Sequence, residues 1–336
     1  MNNRAKLRMI AEIGMSHDGS FGNASRLIDM AAECGADLVK FQLHISEAET
    51  LRSAPPPPYF SSEPRYEYFE RTAFSAEQWQ KLKARCAEKK VGFLCSPFSA
   101  EAVERLERLG VSAYKIPSGE VTNHPLLELI ASTGKEVLLS SGMSSWKELD
   151  AAVEIFKKRR NRLTVFQCTS AYPCPYEEVG LNLLGEMRKR YEVEVGLSDH
   201  TLDEFASLAA AALGASAIER HVTFSRKMYG SDPAHSLEPS EFARLCAGVR
   251  AIETMLASPV DKDRMAGKLA GMKRTFEKSV VSLADIPKGA ILTRELIGVK
   301  KPGGGIPASR YGDLMGRRSR KAIPAGKALK EEDLER

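Results

Sequence analysis

The chain has 336 residues, 43% of them apolar and 28% charged, which suffices for a large packed core and argues against a disordered polymer. Lys and Arg total 49 against 44 Asp and Glu, a net charge of +5 spread along the chain, too mild for a nucleic-acid binder and suited to an anionic small substrate. No apolar run is long enough to span a bilayer, and Met1-Asn2-Asn3-Arg4-Ala5-Lys6 leads into a strand-like segment without a signal-peptide core, so a cytoplasmic protein is expected.

Short β-rich runs alternate with stretches of helical period. In chain order the runs are Met9–Ile13, Leu38–Gln42, Gly92–Cys95, Ala113–Ile116, Glu136–Leu139, Leu163–Cys168, Glu194–Leu197 and Ala217–His221, separated by helical segments such as Ala24–Cys34 and Ala76–Lys89. Eight β/α units in about 250 residues predict an α/β fold, a closed (β/α)8 barrel over residues 1–258. A helix from Pro239 to about Leu256 closes the pattern, and a charged linker is expected over 259–275. Residues 276–336 carry two related stretches, Asp285–Leu292 and Ala322–Leu329, each an Ile-Pro-x-Gly turn followed by an acidic-Leu pair. They predict a small, mostly β domain with two similar turn-helix pieces. The cysteines, Cys34, Cys86, Cys95, Cys168, Cys174 and Cys246, form no C-x-x-C pair, so reduced and mostly buried thiols are expected rather than a zinc cluster or disulfide framework.

The C-terminal ends of the predicted strands, where barrels place their chemistry, are polar. They carry Glu12, Lys40 with Gln42, Ser96, Lys115 with Ser118 and Glu120, Ser140 with Ser141, Thr169 with Ser170 and Tyr172, Ser198 with His200, and Glu219 with His221. A period of two puts Lys40 and Gln42 on one face, and likewise Ser198 with His200 and Glu219 with His221. Lys40 and Lys115 with the serine hydroxyls suit a dianion. Any one of them alone reads more simply as a surface or turn residue, but convergence of several strands on one mouth favours a cage. His200 and His221 end neighbouring strands and can reach one divalent ion, whereas a lone histidine is more often structural. His17, His44, His124 and His235 have weaker claims, His124 reading as a helix cap. Glu12, Glu120, Glu219 and Asp232 offer carboxylates for proton transfer or sugar hydroxyls, with Glu219 equally suited to orient a metal-bound histidine. Tyr172 reads as a wall for an acyl group or as loop packing.

These residues resemble the sialic acid synthase (N-acetylneuraminate synthase) family over nearly the whole chain. The matching segments are Ala11-Glu12-Ile13-Gly14, Ser16-His17-Asp18-Gly19, Val39-Lys40-Phe41-Gln42, Ser96-Pro97-Phe98, Tyr114-Lys115-Ile116 with Ser118-Gly119-Glu120, Leu139-Ser140-Ser141-Gly142-Met143, Gly196-Leu197-Ser198-Asp199-His200, Glu219-Arg220-His221, Gly230-Ser231-Asp232 and Ser236-Leu237-Glu238-Pro239. The C-terminal stretch is similar to the antifreeze-like (SAF) domain. The resemblance implies condensation of phosphoenolpyruvate with an acetamido sugar aldehyde. Lys40, Ser96, Lys115, Ser118, Ser140 and Ser198 would hold phosphoenolpyruvate, with Ser170 where many members have asparagine. Gln42, Phe98, Glu120, Tyr172 and Asp232 would meet the sugar. His200 and His221 would bind a manganese-type ion, with magnesium or cobalt as alternatives; Glu12, Asp232, Lys115 and His200 would be catalytic. A domain-swapped homodimer is implied as well. Lys301 stands where the family usually has arginine, which puts recognition of the sugar's acyl group in question.

The acceptor is left open between N-acetylmannosamine, its 6-phosphate, and the diacetamido sugars of legionaminic or pseudaminic acid synthases. Arg226 and Lys227 are candidates for reading a phosphate. A synthase of a shorter keto-sugar acid is disfavoured by the C-terminal module, and a non-catalytic carbohydrate-binding or assembly protein by the polar strand ends.

Overall fold

Alternate side chains of the predicted strands face one interior. In the computed structural model, which describes residues 6–56, 60 and 62–335, eight parallel strands close around it. They are β1 (Arg8–Glu12), β2 (Leu38–Leu43), β3 (Gly92–Pro97), β4 (Ala113–Ile116), β5 (Glu136–Ser140), β6 (Leu163–Cys168), β7 (Glu194–Asp199) and β8 (Ala217–His221). Ile10, Leu94, Leu138, Phe166 and Ala217 form a buried apolar cluster in the barrel, one layer below the polar strand ends. Several strands run a residue or two past their predicted ends because ladder pairing continues, as in Leu43↔Pro97 and Asp199↔Arg220. Met1–Ala5, which carried the signal-peptide reading, lie outside the described residues.

The helices begin where short polar side chains satisfy their free amides. Ser20 caps Phe21–Glu33, while Ser75 and Ser145 form capping boxes with Gln78 and Glu148 on Ala76–Glu88 and Trp146–Arg159. The helix His124–Ser132 is capped by Asn123, whose side chain accepts from the Leu126 amide, so His124 is its first residue and not its cap. No described helix is long and apolar enough to cross a membrane. All six cysteines are free thiols, and all but Cys34 are buried.

The chain divides into two compact units at Ser258/Pro259. The segment expected as a linker is helical, Lys262–Lys268 and Ala270–Phe276, because Asp261 caps the first turn through the Arg264 amide. In the second unit β9 (Ser279–Ser282) and β10 (Ile297–Lys300) pair antiparallel. The two Ile-Pro-x-Gly repeats pair with each other: Ile286 and Ile323 exchange backbone hydrogen bonds of 2.8 and 2.9 Å. A 3-10 turn, Glu331–Asp333, stands where a helix was expected after the second repeat. Lys301 lies in this unit, with its ammonium 5.1 Å from the Phe276 ring centroid.

Candidate active site

Strand register sets the depth of each polar side chain. Glu12 is opposite Lys40 on one side and His221 on the other, and Ser198 is opposite Glu219. Inside the mouth, Lys40 Nζ lies 3.1 Å from Glu12 Oε1 and 3.3 Å from Glu219 Oε1, while Lys115 Nζ lies 3.4 Å from that same Glu219 oxygen. Lys115 also donates to Ser140 Oγ at 2.5 Å, Lys40 to Ser96 Oγ at 3.5 Å, and the Ser198 hydroxyl to Glu219 at 3.2 Å. All four ionic groups are buried, so their charges balance pairwise.

Burial opposes the charge of Lys40, but Glu12 and Glu219 outweigh it and raise its pKa. Burial lowers that of Lys115 from the ordinary lysine value, with Glu219 pulling the other way. Glu219 is itself disfavoured by burial, yet the two lysines bring its pKa down to about 2. It is therefore the counter-ion of the lysine pair, a poor proton acceptor, and its hydrogen bonds go to the lysines and Ser198 rather than to a histidine ring.

Beside the lysines, the Gly142 amide donates to Ser118 Oγ at 2.9 Å. A Cβ at Gly142 would fall 2.3 Å from Ser170 Oγ and 2.5 Å from Ser118 Oγ, so only glycine lets this turn pass between the two hydroxyls.

His200 Nδ1 lies 2.8 Å from the Thr169 carbonyl, to which it donates, so in the neutral ring the lone pair falls on Nε2. The ring of His221 is 5.7 Å from that of His200, centroid to centroid. Its buried Nδ1 makes no hydrogen bond, the Asp232 carboxylate standing 3.4 Å away. Two imidazoles with a lone pair held outward and an unpartnered ring nitrogen fit a divalent ion that keeps open positions. Among the described residues no third His, Cys, Asp or Glu completes the set. Tyr172 covers this corner, its ring 4.3 Å from His200. Asp232 accepts from the Met15 amide and the Ser231 hydroxyl. Burial works against its charge, but His221 and that amide hold its carboxyl far below the usual range.

The sugar-side candidates cluster differently. Gln42 Nε2 donates to Glu12 Oε1 at 2.6 Å, leaving Glu12 Oε2 buried and unpartnered. Phe98 stacks on His44, and Glu120, whose pKa burial raises, accepts from Asn123 at 2.7 Å. An open cavity of about 520 Å³, solvent mouth included, is lined by Gln42, Tyr172, His221 and Asp232 and walled by Phe60, Tyr68 and Phe69.

Two residues of this region escaped sequence reasoning. Arg65 lines the cavity with its Nε buried and unpartnered, on a short helix, Arg65–Thr72, whose placement no motif announces. Glu49 bonds His44, and its signal was present: His44 follows Gln42 by two residues, in phase with the strand. Arg226, by contrast, is committed to Glu241 at 2.7 Å, and Lys227 is exposed and absent from the cavity lining.

Residues 27–261 match the model of the NeuB family and residues 277–335 that of the SAF domain. The chain belongs to the NeuB family. It is 34% identical over 335 residues to the N,N'-diacetyllegionaminic acid synthase of Campylobacter jejuni, covering 97% of this chain and 99% of that one. It is 36% identical to the human N-acetylneuraminate-9-phosphate synthase, covering 96% and 91% of the two chains. Among solved structures it resembles a sialic acid synthetase from Leptospira borgpetersenii crystallised with citrate, at a TM-score of 0.70 and 29% identity, covering 82% of this chain and 96% of that one. As a NeuB-family protein it is thus an enzyme of the nonulosonic acid synthase type, a barrel followed by a SAF domain.

Proposed function

We propose that this NeuB-family chain condenses phosphoenolpyruvate with the open-chain aldehyde of an unphosphorylated acetamido sugar, N-acetylmannosamine or a diacetamido relative, and releases phosphate by C–O cleavage. One observation carries this reading: two buried lysines with serine hydroxyls, and two imidazoles, share one barrel mouth that opens into an aromatic-walled cavity.

Lys40, Lys115, Ser96, Ser118, Ser140, Ser170 and Ser198 would hold phosphoenolpyruvate. His200 and His221 would hold a divalent ion of the manganese type, which when bound polarises the aldehyde oxygen. The C2=C3 electron pair of phosphoenolpyruvate then bonds C3 to the aldehyde carbon while the C=O pair moves onto the aldehyde oxygen. This leaves C2 electron-poor and an alkoxide that takes up the proton Glu12 later removes from water. Water adds at C2 and gives its proton to Glu12, whose Oε2 has no other partner. The C2–O bond breaks with its electron pair on phosphate as the C2 hydroxyl gives its remaining proton to the departing phosphate and becomes the keto group, and the lysines stabilise the leaving dianion. Asp232, 3.4 Å from His221 and accepting from the Met15 amide, is the second candidate for the proton taken from water.

The charges around the cavity support an unphosphorylated acceptor. Asp232 and Glu63 line the cavity, Glu63 paired with Arg71, and among the described residues Arg65 is the one lysine or arginine in the lining. A sugar phosphate would face the Asp232 carboxylate, whereas a neutral acyl oxygen needs only a single forked donor. Removing Arg65 with leucine is expected to raise the sugar KM about tenfold, the scale of one charge-assisted hydrogen bond, with phosphoenolpyruvate KM unchanged. Equal sugar KM values in the two proteins would remove Arg65 from the acceptor site.

The function is tested by following phosphate release from phosphoenolpyruvate on metal-stripped protein resupplied with manganese, across N-acetylmannosamine, its 6-phosphate and a diacetamido-trideoxyhexose. Release with an unphosphorylated sugar alone is expected. Release with the 6-phosphate alone would reassign the acceptor, and silence with all three would overturn the reaction.

A further inference from the structure

The chain of hydrogen bonds that ends on Glu12 begins outside the barrel mouth. His44, two residues beyond Gln42, is buried between two rings: Phe69 lies 3.7 Å away, centroid to centroid, at an interplanar angle of 4°, and Phe98 4.1 Å away at 22°. Packing alone would explain a phenylalanine there. His44 instead uses both nitrogens, with Nδ1 2.6 Å from Glu49 Oε1 and Nε2 3.0 Å from Gln42 Oε1. The other Glu49 oxygen accepts from the Ile45 amide at 3.2 Å, which fixes the carboxylate on its own short helix, Ser46–Glu49.

Donor and acceptor roles give this chain a direction. An ionised Glu12 only accepts, so the Gln42 amide must present its NH2 to Glu12 and its carbonyl to His44. His44 Nε2 must then donate to that carbonyl, while Nδ1 pairs with the Glu49 carboxyl group. With a lone pair on Nε2 the two would repel, and rotating the Gln42 amide would turn its carbonyl against Glu12. The orientation of Gln42, and hence which Glu12 oxygen stays free, depends on a histidine that donates from Nε2.

We propose that the Glu49–His44 pair is a positioning device for the reacting centre: it locks the Gln42 amide so that Gln42 and Lys40 hold one oxygen of Glu12 and leave the other free for the proton. This rests on the reading of Glu12 and Gln42 given under the proposed function. Neither His44 nor Glu49 lies in the lysine–serine cage, so their loss acts on the acceptor and proton-transfer side of the reaction.

His44→Phe keeps an aromatic ring between Phe69 and Phe98 and deletes both hydrogen bonds. A loss of about 100-fold in kcat/KM for the sugar is expected, the scale of misplacing a reacting group by about an ångström, with phosphoenolpyruvate KM within about twofold of the parent. Glu49→Gln, which still accepts from Nδ1, should lose less than Glu49→Leu. Near-parental turnover by His44→Phe, or equal losses in the two Glu49 variants, would overturn the proposal, and the Glu49 pair decides it if His44→Phe does not fold. Nitrogen NMR of the unmodified protein provides a readout independent of activity, in which His44 Nε2 should carry a proton. A bare Nε2 overturns the positioning argument whether or not the enzyme turns over, whereas phosphate silence with every sugar counts against the reaction.

Discussion

Lys115→Ala should raise the phosphoenolpyruvate KM by about 100-fold or more, several kcal/mol of lost charge-assisted contact, while the sugar KM changes little. Lys40 and Lys115 balance Glu12 and Glu219, so removing one lysine leaves one cation against two buried carboxylates, and an incoming dianion meets net negative charge. The same change strands half of the Glu219 charge, at a stability cost of about 3–5 kcal/mol. Adding Glu219→Gln to Lys115→Ala separates the two effects. The double variant should regain stability in denaturant titration without regaining phosphoenolpyruvate affinity. An unchanged phosphoenolpyruvate KM in the single variant would remove Lys115 from the substrate cage.

His221→Ala is expected to abolish turnover at every manganese concentration. His200 and His221 offer imidazole nitrogens at this corner, and among the described residues no third His, Cys, Asp or Glu completes a ligand set, so losing one of two leaves too few protein donors. Manganese titration followed by electron paramagnetic resonance reads the defect without reference to activity, as a collapse of tight binding. Circular dichroism should stay unchanged, because His221 ends β8 and its Nδ1 holds no hydrogen bond that the fold needs. Tight manganese binding retained by His221→Ala would remove the metal role.

Much of the site was visible in the strand pattern because a strand's period of two is a geometric rule that survives any tertiary arrangement. Lys40 with Gln42, Ser198 with His200, and Glu219 with His221 had to share the barrel face once each run was read as a strand. His44 obeys the same phase and escaped only because a single histidine past a strand end has many structural uses. The role of Glu219 was not legible: orienting a histidine or moving a proton fits a carboxylate beside His221, and only the depth of two lysines from other strands makes it their counter-ion. Arg65 and Arg226 were interchangeable as basic residues in loops until their partners were known, Glu241 for one and a cavity wall for the other.

By itself the sequence determined the alternation of strand and helix, the eight-fold count, the small C-terminal module and the polar strand ends, because these depend on local period and composition. The helical segment after Asp261 and the asparagine cap before His124 were local too, but their signals are single side chains that a charged or proline-flanked stretch hides. Only the tertiary structure decided which groups share a proton, a charge or a wall. Barrel closure sets Glu12 between Lys40 and His221, and the packing of the Arg65–Thr72 helix brings Arg65 to the cavity and Phe69 onto His44. Those pairings span separations in the chain over which local propensity carries no information, and they exist because closing the sheet and burying its faces leaves each side chain one place to go.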